Sequence, residues 1–446
     1  MKSPEINAET MKNLLGAFKK LGFFKNNLAL LVPIIIVVVA LLLFIPTKIL
    51  QGRLQSTIDT ESVQTARQID GLIRDVSEAR AAEDLETYIN AYARDANQIE
   101  LLTKQTTMRE LLSYDLFPDT NETSPLLFEP FRQKFIAGVE AMLESVNAGG
   151  PPSNLEIERA LESSHRSLFG RSGSRSRSTS SFGRTGRNFS LRMMMPMDRK
   201  IADKICEEKA MAAKVYASPV DLEGYTYWSE WKFENRDKAY RDCWYWQLGY
   251  WMLEDAMATI RETNRDAEDI LEAPIKRVMA VGFALKKMRA SSMGRGARRA
   301  GRRPGDTQAP TYVRSTREGI TTPCTGRFCN EDIDVTHFNV RVVVGADSVM
   351  SFMEELCRVK THAFRGLYGD EPAQTFKHNQ ITVLESSIAP VDREGFEHGL
   401  YRYGDNTVVE LDLICEYVFQ KVGYEQIKPE LVKEDILAEE TKGRAR

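Results

Sequence analysis

Cysteine is scarce in this chain. Six cysteines in 446 residues cannot form a disulfide scaffold. Histidine is scarcer, with five residues at positions 165, 337, 362, 378 and 398. They are scattered and read as surface or satisfied core residues rather than metal ligands. A net charge of −3 excludes a polycationic body, so nucleic-acid affinity would have to come from local arginine runs. The chain has no Walker A sequence, no H-E-x-x-H and no G-x-S-x-G. GRGARRAG (294–301) follows a basic loop and is not a nucleotide fingerprint. No pair of carboxylates stands out in an apolar context. An enzyme is therefore not expected, and no cofactor is called for.

What is present begins with a long apolar run. Residues 28–46, LALLVPIIIVVVALLLFIP, hold nineteen residues without a charge or a polar side chain. As a helix the run is about 28 Å long, close to the ~30 Å hydrocarbon core of a bilayer. Pro33 near its start is tolerable there. The following IPTKILQG lacks small residues at a cleavage position, so an anchor is expected rather than a removed signal. Residues 1–27 carry Lys2, Lys12, Lys19, Lys20 and Lys25, against Lys48 and Arg53 beyond the run. This lysine bias predicts a basic cytoplasmic tail with the bulk of the chain on the far side.

A helical stalk is expected over 47–115. Ile69, Ile73 and Val76 step by four and three, as do Leu85, Ile89, Tyr92, Ala96 and Ile99. That is the spacing of a helix-pairing seam. Gly71 and the polar stretch 77–84 predict an interrupted coiled coil. Leu85, Ile89, Tyr92 and Ile99 are the candidate stalk interface.

Residues 116–265 read as helical. The run 126–146 is stopped by Asn-Ala-Gly-Gly-Pro-Pro. From Arg166 to Arg192 there are seven arginines and no acid, a composition that cannot bury a core and predicts a disordered insert. Placed outside the cytoplasm, such a run fits a linker or a patch for anionic surfaces, and no nucleic acid is expected as a partner. A helix capped by Asp198 should bury Ile201, Ile205, Ala212 and Val215. A second, over 229–263, carries Trp231, Tyr240, Trp244, Trp246, Tyr250 and Trp251, a stripe that fits a core, a subunit interface or a small-molecule site.

Over 270–425 the period changes to two. Met279, Val281, Phe283 and Leu285 share one face of a first strand, and Phe338, Val340, Val342 and Val344 share one face of a second. A helix capped by Asp347 or Ser348 should bury Val349, Phe352, Leu356 and Val359. Residues 381–390 make a third strand. The fourth, 407–419, turns Val409, Leu411, Leu413, Cys415, Tyr417 and Phe419 inward. An arginine-rich loop, 289–319, is expected to be disordered, and 426–446 form a charged tail. The order strand, strand, helix, strand, strand predicts an α+β sandwich with one helix covering an antiparallel sheet. Cys324 and Cys329 are a candidate disulfide or two free thiols. Cys357 and Cys415 read as buried apolar residues. NET (121–123) and NFS (188–190) are sequons.

A basic tail, one span, a stalk and a small α+β domain resemble the PilO and GspM group, bitopic inner-membrane proteins of type IV pilus and type II secretion machines. The resemblance covers residues 1 to about 110 and 270–425. It implies a ferredoxin-like ββαββ sandwich and a bacterial inner-membrane protein with its bulk in the periplasm. It also implies a structural assembly role without catalytic residues. The implied partners are the membrane, similar bitopic proteins in a homo- or heterodimer, the secretion platform and a secretin. The region 116–265 and the two arginine-rich loops have no counterpart in the usual short pattern. The alternative is a single-span extracytoplasmic sensor or ligand-binding module acting through a partner.

Overall fold

A computed structural model describes residues 28–58, 60, 64–118, 124–168, 195–283 and 308–436. The sequons, nearly all of the Arg/Ser-rich insert 166–192 and most of the basic loop 289–319 lie outside the described residues. The chain divides into two compact units, Met1–Asn97 and Gln98–Arg446.

The first unit is helical where described. α1, Leu28–Thr57, contains the apolar run and continues as helix for eleven residues beyond it. Within it, Ile35–Thr57 is long and apolar enough to cross a membrane. α2, Gln64–Thr107, is one helix of 44 residues. The helix is continuous through Gly71 and the polar stretch, where the pairing seam was expected to be interrupted.

The second unit is a mixed helix–sheet body. Its helices include α3 (Glu129–Ser145), α4 (Asn154–Leu168), α5 (Pro196–Met211), α6 (Tyr225–Ser229), α7 (Arg236–Thr263), α8 (Val349–Cys357) and the short α9 (Lys421–Tyr424). β1 (Ala148–Gly149), β2 (Val215–Tyr216), β3 (Ile275–Gly282), β4 (Ile333–Gly345), β8 (Val408–Gln420) and β7 (Ile381–Pro390) form one sheet in that spatial order. β5 (Lys360–Phe364) and β6 (Gln374–His378) form a separate hairpin that the sequence did not suggest.

The centre of the sheet is the antiparallel pair β4–β8, in unbroken register from Ile333↔Gln420 to Gly345↔Val408. The unbroken ladder keeps the period at two. Phe338, Val340, Val342 and Val344 therefore enter the main core with Leu411, Leu413, Cys415, Tyr417 and Phe419. β3 departs from the expected face. It pairs with β4 through two register shifts, at Ile275/Arg277 and Val278/Ala280. Each adds one residue, so Ile275, Val278 and Val281 reach the same core at a spacing of three. Met279 packs on the opposite side, with Tyr403 and Val408. Leu285 lies outside the described residues.

Two helices cover the main face of the sheet rather than one. α7 packs under it, with Trp251 against Phe419 and Trp246 against Phe283. Tyr240, Trp244, Trp246 and Trp251 of the aromatic stripe are buried in the core, whereas Tyr250 is half-buried and Trp231 lies before the helix, also half-buried. α7 starts at Arg236 because the Asn235 side chain accepts from the Lys238 amide at 2.8 Å. α8 buries Val349, Phe352 and Leu356, but the helix ends at Cys357 and leaves Val359 exposed. On α5 the buried face is Ala202, Cys206 and Ala210 rather than the isoleucines, and Val215 belongs to β2. Its N-cap is Met195 with Pro196 first in the helix; Asp198 sits in the first turn, where a carboxylate suits the helix dipole.

Candidate functional site

The candidate interface residues lie on one face of α2. Leu85, Ile89, Tyr92 and Ile99 are between 57% and 74% exposed. A helix that shows an apolar row to water lacks the burial that normally pays for helix formation. At the start of the second unit, Leu101 and Leu102 are also exposed.

Just beyond the end of α2 the chain is fixed by a buried charge cluster. Arg109 is buried, and so are Asp255 on α7 and Tyr417 on β8. The Arg109 guanidinium donates to Asp255 at 2.8 and 3.2 Å, a two-pronged pair, and to the Tyr417 hydroxyl at 2.7 Å. It also meets the half-exposed Glu254 at 2.6 Å. Tyr417 donates to Asp255 at 2.6 Å. Burial alone would lower the Arg109 pKa, but Asp255, Tyr417 and Glu254 raise it well above its ordinary value. Burial would raise the Asp255 pKa, but Arg109 and His378 hold it far below the carboxylate range. The pair is therefore charged and closed on itself.

Backbone contacts reinforce this joint. Thr107 donates to the Gln420 carbonyl at 2.8 Å, and the Glu110 amide to Ala363 at 3.2 Å. The Gln247 side chain accepts from the Leu112 amide, and the Trp251 ring donates to the Glu110 carbonyl, both at 2.9 Å. The β5–β6 hairpin closes over the cluster. His378 lies 3.4 Å from Asp255, and His362 stands 5.0 Å from His378 between ring centres. His362 Nε2 donates toward the carbonyls of Gln105 and Met108. Burial pushes the His362 pKa down to about 3 and that of His337 down to about 4.

A second buried cluster centres on Asp334, which accepts from Lys428 at 2.6 Å and from Tyr424. Tyr424 meets Tyr312, which in turn accepts from Trp244 at 3.0 Å. Glu416 is also buried, and pairs with Arg327 at 2.7 Å. Asp255, Asp334 and Glu416 are thus single buried carboxylates, each held by a basic side chain. Nothing local to their sequence marks them, because their partners come from distant parts of the chain.

The second unit also carries a cleft of about 1740 Å³. Arg277 lies 3.8 Å over the Tyr401 ring there. His398 bridges Tyr403 at 2.8 Å and Glu410 at 3.0 Å, and its hydrogen bond lowers the Glu410 pKa. Arg402 is held by Asp203 and by the carbonyls of Gly399 and Tyr401. The guanidinium groups are thus already engaged within the cleft.

Cys324 and Cys329 are free thiols in the structure. The Cys329 sulfur accepts from the Val335 amide at 3.1 Å, and burial raises its pKa to about 12. Cys415 is buried, whereas Cys357 is only partly so. Among the described residues no group of three His, Cys, Asp or Glu side chains is placed to hold a metal ion.

Searches against protein families, curated proteins and solved structures find no match. The functional reading therefore rests on the sequence and this geometry.

Proposed function

We propose that the chain is a membrane-anchored scaffold that works by protein–protein contact, an alignment component of the PilO and GspM kind. α1 would hold it in a bacterial inner membrane, with the lysine-rich tail in the cytoplasm and Gln98–Arg446 in the periplasm. The four-stranded antiparallel part of the sheet with α8 is then read as an enlarged ferredoxin-like module. No catalytic residue, cofactor or nucleic acid enters this reading. Its partners would be similar bitopic proteins, the platform of a pilus or secretion machine and its secretin.

The observation that carries the proposal is the exposed apolar row Leu85, Ile89, Tyr92 and Ile99 on an unbroken helix. Heptad-spaced apolar residues are buried when a second helix packs on them. Leu85→Asp with Ile99→Asp should dissociate the native complex in mild detergent. Gln98–Arg446 should keep its unfolding free energy in urea within about 0.5 kcal/mol, as expected for surface changes. A double variant that keeps the wild-type complex mass would defeat the proposal.

A second reading, a single-span ligand-binding module, draws on the cleft around Tyr401 and Arg277. A saturable thermal shift from a small-molecule panel, lost in Arg277→Ala, would favour it.

A further inference from the structure

We infer that the partner of the α2 seam is a helix edged by lysine or arginine, not a second copy of this chain. The inference rests on the reading that the seam pairs. It comes from the residues flanking the apolar row.

With Ile89 and Ala96 at heptad positions a, and Leu85, Tyr92 and Ile99 at d, the flanking positions follow. Position e holds Glu86, Ala93 and Glu100; position g holds Tyr88, Asp95 and Leu102. Every charged residue at an edge is therefore acidic. From Asp84 to Glu100 the helix carries Asp84, Glu86, Asp95 and Glu100 against Arg94 alone, and Arg94 falls at the outward position f. Glu100 meets Lys104 at 2.8 Å on the same helix, an exposed pair that solvent screens.

These edges decide against self-pairing in either direction. In a parallel pair, g of one helix faces e of the next heptad on its partner. Asp95 would face Glu100 of the second copy, twice by symmetry. In an antiparallel pair centred on Ala93, e faces e, and Glu86 would face Glu100. Both arrangements place acid against acid beside the apolar row. A partner with Lys or Arg at its edges turns each repulsion into an attraction without changing the seam. Charges beside a coiled-coil seam thus choose the partner while the apolar residues supply the burial.

The test uses the full chain in mild detergent and two labelled peptides covering residues 82–104. One has the native sequence. The other carries Glu86→Lys, Asp95→Lys and Glu100→Lys, which keeps the seam and reverses its edges. Binding is followed by fluorescence anisotropy at about 50 mM and about 500 mM salt, on either side of the range where surface charges are screened. The expected result is binding of the lysine-edged peptide about tenfold tighter at low salt, with a smaller ratio at high salt. Leu85→Asp in the full chain should remove it. Equal or tighter binding of the native peptide would overturn the inference and leave the pairing reading intact. So would lysine-edged binding that survives Leu85→Asp, because it would then lie elsewhere. Binding of neither peptide would overturn the pairing reading itself.

Discussion

Arg109→Ala would leave Asp255 charged, buried and without its two-pronged partner. Breaking a buried ion pair from one side costs about 3–5 kcal/mol. The urea midpoint of the variant should fall accordingly, and Arg109→Ala with Asp255→Ala should cost less than the two single changes summed. Additive losses would mean that the two side chains do not act as a pair. Histidine gives a second test at this scale. In the unfolded chain it protonates near pH 6.5. Burial lowers His362 to about 3 and His337 to about 4 in the folded chain. The unfolded state therefore takes protons first as pH falls, and stability drops from about pH 6.5 toward 4, by up to about 1.4 kcal/mol per pH unit for each histidine. Asp255, whose folded pKa is depressed, adds a further loss below about pH 3.9. His337→Gln with His362→Gln should flatten the denaturation midpoint between pH 7 and 4.5, to be followed by urea titration at each pH. A profile as steep as the wild type would refute this account. None of these residues could be singled out from sequence. Arg109 sits among Thr, Met and Glu like any surface arginine, and its partners lie about 145 and 308 residues away.

Elements were legible where their periodicity was undisturbed. β4 and β8 could be read face by face because thirteen successive pairs keep one register. β3 could not, since two bulges turn a spacing of two into three. The β5–β6 hairpin was missed because KTHAF and QTFKH are mostly polar and half-exposed, without a clean alternation. α5 was read as burying its isoleucines, but it turns Ala202, Cys206 and Ala210 inward and leaves Ile201 and Ile205 half-buried. The exposed row on α2 was legible, since seam spacing needs no partner in the same chain. Close packing also gives a prediction for α9. A methyl group at Gly423 would run into the Thr107 hydroxyl and the Lys104 carbonyl. Gly423→Ala should therefore destabilise the second unit by about 1–3 kcal/mol, the usual cost of overpacking. Hydrogen exchange should show lost protection first at the Thr107–Leu112 segment, and a variant with wild-type protection there would refute the contact.

At the scale of the molecule, the apolar helix was plain from nineteen uncharged residues, while the unity of Gln98–Arg446 was not. The sequence suggested a helical region beside a sheet domain. The structure merges them, with α3, α7 and the sheet contributing to one core. Such merging depends on which surfaces meet, and periodicity within each element says nothing about that. Removing residues 1–57 should move the protein from the membrane pellet to the soluble fraction on carbonate extraction. A truncated chain that stays in the pellet would show that something besides α1 holds it there.

All five tryptophans fall between residues 228 and 251, and Trp228, Trp244, Trp246 and Trp251 are sealed from solvent. Tryptophan emission, excited at wavelengths beyond the tyrosine band, therefore reports on Gln98–Arg446 alone; Met1–Asn97 has no tryptophan, and its Tyr88 and Tyr92 stay dark under that excitation. A melt in which ellipticity falls while the emission maximum holds its wavelength would assign the first loss of helix to the dark unit, without a label on either.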